Sequence, residues 1–256
     1  MRVPLAVFIV LAACLRAAAM LPSAPLPPSQ PRPTAPVIID PGHGGGDLGA
    51  VVRGVQEKDI ALAVARKVRD RLTAWTPVML TREDDHYVTL DRRVVDAADW
   101  DGALFVSIHL NEVRSRRSAG AVVYSFGAAR RGHHFRRRHR KVPWMPAPPR
   151  VESRGGDALA RTIVAELRHD GVNAKQARCD YYVLKEPTEP SVLIELGYLS
   201  NPAEAKRLTD PAYQDRLADS LAKAIRAFAV QRAVRGQAPV AAALADGAPS
   251  AAAKSL

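Results

Sequence analysis

Apolar residues in this chain come in two spacings that alternate: short unbroken runs, and longer stretches where they recur every three or four positions. Val37-Ile38-Ile39 is the first unbroken run and predicts a buried strand. Asp40-Pro41-Gly42 ends it, because Pro41 has no N–H for a ladder and Gly42 accepts backbone angles that other residues avoid. From Glu57 to Leu72 the period changes. Ile60, Val64, Val68 and Leu72 fall at i+4 steps, with Ala61 and Ala65 beside them and Arg66, Lys67, Arg69 and Asp70 on the wet side, which predicts an amphipathic helix packed on a sheet.

The alternation continues. Thr76 to Thr81 predicts a second strand, and Thr89 caps a helix that carries Leu90, Val94 and Ala97. Ala103 to Ile108 and Gly120 to Phe126 read as strands. Ala158 to Leu167 is helical, with Leu159, Ile163, Val164 and Leu167 on one face. Tyr181 to Leu184 and Ser191 to Leu196 are the last predicted strands. Asn201-Pro202-Ala203-Glu204 opens a helix with proline in its first turn, and a final helix runs from about Pro211 to Val230. Strands that alternate with helices predict an α/β fold: a single domain with a mostly parallel, roughly six-stranded sheet flanked by helices.

Four segments stand outside this pattern. Residues 1–19 read as a signal peptide, with Arg2, an apolar stretch Val3 to Leu15 too short to span a bilayer, and Ala17-Ala18-Ala19 as the cleavage region. Leu11-Ala12-Ala13-Cys14 also resembles a lipobox, which would end the leader before Cys14 and attach a lipid anchor to it. Both readings predict export, to the periplasm or cell envelope. Residues 20–36 carry seven prolines from Pro22 to Pro36 and predict an extended linker. Residues 128–150 hold a run of arginine and histidine followed by prolines and predict a mobile basic insertion into the domain 37–230, and 231–256 is an Ala-rich tail predicted to be disordered.

Composition narrows the function. A net charge of +11 calls for anionic partners, while aromatic residues at 5% argue against base stacking as the binding device. Cys14 and Cys179 are the only cysteines, so a thiolate zinc site is excluded.

Candidate chemistry gathers at one edge of the predicted sheet. His43 follows the first strand, His109 closes the strand from Ala103, and Glu195 closes Val192-Leu193-Ile194. In a parallel sheet these ends lie together, on the edge where ligands bind. Glu57 opens the helix that returns from that edge, although its place at a helix N-terminus could reflect the dipole alone. Two imidazoles and two carboxylates match a zinc hydrolase: three protein ligands, an activated water, and one more carboxylate to move the proton. By residue type alone, either glutamate could be ligand or base. The three glycines after His43 predict a close approach of some group to that imidazole.

At these residues the chain resembles the zinc-dependent N-acetylmuramoyl-L-alanine amidases of bacterial cell walls, of the amidase-3 type. The resemblance runs from Val37 to about Phe228. It rests on Ile39-Asp40-Pro41-Gly42-His43-Gly44-Gly45, Gln56-Glu57-Lys58-Asp59, Thr81-Arg82, Leu90 with Arg93, Ser107-Ile108-His109-Leu110-Asn111, and Ile194 to Asn201. It implies that His43, Glu57 and His109 hold one zinc ion, that Glu195 is the catalytic glutamate, and that the reaction cleaves the amide between N-acetylmuramic acid and L-alanine of the stem peptide. Glu112 departs from the pattern, standing where the family usually has a small residue, and 128–150 has no counterpart there.

Three functions compete on this reading: the amidase; a zinc peptidase acting within the stem peptide; and a non-catalytic basic protein that binds the wall. The expected partners are peptidoglycan and anionic wall polymers, with no nucleic acid, and a monomeric chain.

Overall fold

The computed structural model describes residues 36–99, 104–127, 150–185 and 190–234. In chain order its elements are β1 (Val37–Pro41), β2 (Val51–Val52), β3 (Val55–Gln56), α1 (Glu57–Leu72), β4 (Val78–Leu80), α2 (Leu90–Asp99), β5 (Leu104–Asn111), β6 (Ala121–Phe126), α3 (Arg150–His169), β7 (Ala174–Cys179), a 3₁₀ turn (Tyr182–Lys185), β8 (Ser191–Tyr198), α4 (Pro202–Leu208) and α5 (Pro211–Val234).

Six strands form one sheet in the order β4-β1-β5-β8-β6-β7. Every pairing is parallel except β6 with β8. This is the mostly parallel six-stranded sheet that the alternation of spacings predicts. Side chains on a strand alternate between faces, and the two faces build separate cores. Val37, Ile39, Val106, Ile108, Val192 and Ile194 pack under α1, α3 and α5. Ile38, Phe105 and Leu193 pack on the other face, with Ala97 of α2 and with Tyr181, Val183 and Leu184. By the same alternation Asp40, Ser107, His109 and Glu195 belong to this second, thinner face.

Several predicted boundaries move. β1 runs on to Pro41, paired with Ile108, because a proline at a strand's last position has no donation to make. β5 and β8 extend to Asn111 and Tyr198, so His109 and Glu195 lie within their strands and not beyond them. Tyr181 to Leu184 is not a strand. It belongs to a turn that folds its apolar residues down onto the thinner core. The sixth strand is instead β7, whose sequence Ala-Lys-Gln-Ala-Arg-Cys carries almost no apolar signal because it is a half-exposed edge. The β2–β3 hairpin was not foreseen. It turns through Arg53 and Gly54, with φ of 53° and 81°, the pair of positive angles that suits a two-residue hairpin. α5 continues to Val234, four residues into the predicted tail, and α3 begins at Arg150, the end of the predicted insertion. The leader, the linker 20–35, residues 128–149 and 235–256 lie outside the described residues. Among the described residues no helix is long and apolar enough to cross a membrane.

Candidate metal centre

His43 sits on the loop just past β1 with φ of 60°, a conformation uncommon for a residue with a side chain. Two buried arginines hold that loop. Arg82 donates from Nε to Pro41 O at 3.0 Å and from Nη2 to Gly42 O at 2.8 Å and Lys58 O at 2.9 Å. Arg93 of α2 donates to Pro41 O at 2.7 Å and to His43 O at 2.7 Å. Arg93 is balanced by Asp40, which is fully buried in β1 and also accepts from Thr81 Oγ1 and Ser107 Oγ, each at 2.6 Å. Burial alone would raise the Asp40 pKa, but the Arg93 charge and the three hydrogen bonds bring it below the usual carboxylate range. A third clamp comes from α1, where Lys58 Nζ bonds Gly45 O at 2.9 Å and Asp85 at 2.6 Å.

Three side chains converge at this loop. His43, Glu57 and His109 each offer one ligand atom, and these atoms lie within 4.8 Å of one another. Glu57 is the first residue of α1 and fully buried. Its Oε1 lies 2.9 Å from His109 Nδ1 and 3.1 Å from His43 Nε2. Backbone fixes the carboxylate as well: Leu110 N donates to Oε1 at 2.9 Å and Ala50 N to Oε2 at 2.8 Å. The two imidazoles meet edge to face, with centroids 4.9 Å apart.

Burial is the largest influence on all three groups and disfavours their charged forms. Glu57 is nonetheless pulled well below its ordinary range, because His109 and His43 both bond and charge-pair with it. His109 is pushed down, since burial outweighs the single carboxylate beside it. His43 moves up, because Glu57 and Asp47 together outweigh its burial. Asp47 Oδ2 lies 2.9 Å from His43 Nδ1. An ionised carboxylate only accepts, so the Asp47 contact holds a proton on Nδ1.

The donor set fits a zinc ion. Two imidazoles and one carboxylate make a His₂Glu site, and the buried Nε2 of His43 faces Glu57 Oε1 at 3.1 Å. A second triplet, Glu166, His169 and Asp170 at the end of α3, is mostly exposed, and Asp170 is bound to Ser220.

Glu195 is buried on β8, beside His109 in the parallel register and opposite Val122 of β6. Adjacent strands lie about 4.8 Å apart, so this carboxylate flanks the triplet without belonging to it. Residue type left the two glutamates interchangeable, whereas the geometry groups Glu57 with the imidazoles and sets Glu195 to one side. Tyr124 lies next to Glu195 on β6. Burial, with the Glu195 charge second among its causes, pushes its phenol pKa up, so the hydroxyl keeps its proton.

The glycine-rich loop is crowded at positions other than those predicted. A Cβ on Gly42 would collide with the His109 ring, and one on Gly49 would lie 2.6 Å from both Glu57 Oε2 and His43 Cδ2. Gly44 and Gly45 instead pass the backbone of His86 and Tyr87, and Gly46 faces open space. Asp47, Lys58, Asp85, Arg82 and Arg93 carry roles that periodicity did not reveal. Lys58, Arg82 and Arg93 do stand in the motifs that carry the resemblance, and Asp47 lies at i+4 from His43.

Residues 37–227 match the Amidase_3 family, described as N-acetylmuramoyl-L-alanine amidase. The chain is 36% identical over 174 residues to the uncharacterized protein YqiI of Bacillus subtilis, which covers 67% of this chain and 74% of that one. It is 31% identical over 216 residues to the N-acetylmuramoyl-L-alanine amidase AmiC of Neisseria meningitidis, 75% of this chain and 52% of AmiC. It thus spans about half the length of that relative. Among solved structures, the catalytic domain of the amidase CwlV from Bacillus (Paenibacillus) polymyxa superposes with a TM-score of 0.63 at 31% identity, over 76% of this chain and 98% of that one. The amidase AmiC2 of Nostoc punctiforme gives a TM-score of 0.63 at 30% identity, over 76% and 96%.

Proposed function

The chain belongs to the Amidase_3 family of N-acetylmuramoyl-L-alanine amidases, and we propose that it uses a zinc ion held by His43, Glu57 and His109 to hydrolyse the amide joining N-acetylmuramic acid to L-alanine in peptidoglycan. The observation that carries this reading is the triplet of ligand atoms, built around the buried Glu57 and set beside Glu195.

When bound, zinc supplies an acidified water and polarises the scissile carbonyl. The protein does the rest. Asp47 keeps the proton on His43 Nδ1, and the Leu110 and Ala50 amides hold Glu57 in one orientation. Glu195 takes a proton on its carboxylate from the attacking water and returns it to the departing alanine nitrogen. The substrate enters over the thinner face of the sheet. Its site of action is the cell envelope, reached through the leader 1–19 or a lipid anchor at Cys14, and the basic stretch 128–150 holds the enzyme on anionic wall polymers.

Purified protein should contain about one zinc per chain and release stem peptides whose new amino terminus is L-alanine. Any other terminal residue would make it a peptidase, and a protein with neither metal nor products would leave only wall binding. Glu195→Gln should lower kcat by about 10²–10⁴-fold with zinc content unchanged. Wild-type activity in that variant would move the proton-transfer role to another group.

A further inference from the structure

We propose that Glu204, a buried carboxylate on α4 that the mechanism does not use, is a positioning residue that holds Glu195 in register beside the metal centre. This rests on the amidase reading, in which Glu195 moves the proton. Glu195 stands where regular pairing stops on both sides of β8. Toward β5 the rungs run from Phe105–Ser191 to His109–Glu195. The next pair is Asn111–Tyr198, so β8 takes three steps where β5 takes two. An irregularity of this kind leaves part of the ladder unmade. Leu199 N rejoins Asn111 O at 2.8 Å, which restores the β5 side. Toward β6, among the described residues, the rungs end at Val122–Glu195.

On that side Glu204 stands in for the next rung. Its Oε2 accepts from Tyr198 N at 2.9 Å, three residues past Glu195, and its Oε1 from Gly120 N at 3.0 Å, the residue before β6. Arg207 donates to Oε1 at 3.1 Å from the solvent side. The start of α4 explains why this side chain turns inward. A glutamate at the third helical position ordinarily reaches back to the N-cap amide. Here Asn201 N already donates to Tyr198 O at 3.1 Å, and Asn201 Oδ1 caps Ala203 N and Glu204 N. Asn201 Nδ2 also donates to Ser118 O at 3.1 Å, which ties the same helix start to the approach to β6. Gly197 leaves the carboxylate room, since a Cβ there would lie 3.1 Å from Glu204 Oε2. Burying a carboxylate costs stability unless it is bonded. Two of these bonds go to the strand that carries Glu195 and to the start of its neighbour.

The test is a double-mutant cycle with the zinc-loaded protein on a soluble N-acetylmuramoyl-L-alanyl peptide, with amide hydrogen exchange measured alongside. Glu204→Gln keeps the shape of the side chain but leaves one strand amide without an acceptor. It should lower kcat about 10- to 100-fold, the scale of a displacement near 1 Å, with KM and zinc content unchanged and with faster exchange at Gly120 or Tyr198. In the Glu195→Gln background the same substitution should lower kcat by less than about twofold further, because effects relayed through one residue do not add. Arg207→Ala spares both strand amides and removes an exposed ion pair, so kcat should stay within about twofold of wild type. If Glu204→Gln does not fold, Gly197→Ala presses a methyl group on the same oxygen and carries the same expectation. Faster exchange with wild-type kcat, or a kcat loss that adds fully to that of Glu195→Gln, would overturn the positioning role and leave the amidase reading intact. A Glu195→Gln enzyme as active as wild type would instead overturn the choice of base, and the relay from Glu204 with it.

Discussion

Asp47 shows how much the site depends on a side chain that need not touch the ion. Its carboxylate fixes the proton on His43 Nδ1, and partners of this kind are worth about 10–100-fold in metal affinity. Asp47→Asn should therefore weaken zinc binding by about that factor in a competitive chelator titration, with little change in the denaturation midpoint. Gly49 acts by being small. Gly49→Ala places a methyl group against Glu57 and His43 at a φ of 67°, where a side chain alone costs about 1–2 kcal/mol. Loss of zinc affinity and a lower denaturation midpoint together are the expected result. At this scale the sequence was informative about residue type and poor about contact. His43, Glu57, His109 and Glu195 stood out because four such groups coincide at one predicted sheet edge, one of them in a glycine-rich loop. That Gly42 and Gly49 face those side chains, and Gly46 faces nothing, depends on loop angles that no spacing encodes.

Between elements, Asp40 is the junction that ties β1 to β4, β5 and α2 through Thr81, Ser107 and Arg93. Removing one partner of a buried ion pair costs about 3–5 kcal/mol, so Asp40→Asn should be strongly destabilising near neutral pH. The sign of the pH effect follows from the lowered folded pKa. The unfolded chain binds a proton there first, near pH 3.9, so the stabilisation is present above that value and is lost as pH falls through the folded pKa. In denaturation series from pH 7 to pH 3, the gap between wild type and Asp40→Asn should shrink at the acid end. A gap that stayed constant with pH would mean that Asp40 is not charged in the fold. Legibility at this scale tracked burial. α1 was readable to its end residues because its buried face is almost wholly apolar, and β8 was readable except for its last two residues because it is buried throughout. β7, at the edge, and the short β2–β3 hairpin bury too little to leave a pattern.

At the scale of the whole chain, the fold class followed from the order of apolar spacings, and the described residues bear it out in a six-stranded, mostly parallel sheet with five α-helices. The one antiparallel neighbour, β6 beside β8, was invisible because strand direction depends on connections and not on composition. The net charge of +11 makes a separate prediction for the assembled protein. Retention on purified sacculi should fall steeply between about 0.05 and 0.5 M salt, as the screening length drops below 10 Å. Replacing the arginines of 128–150 with serine should remove most of that dependence. Retention indifferent to salt would assign wall affinity to something other than charge.

The carbonyls behind His43 are already occupied by Arg82 and Arg93. The unusual backbone angle at His43 is thus enforced by the polypeptide itself, and cation capture has little ordering left to do. A loop held in this way is expected to take up a trace element without refolding.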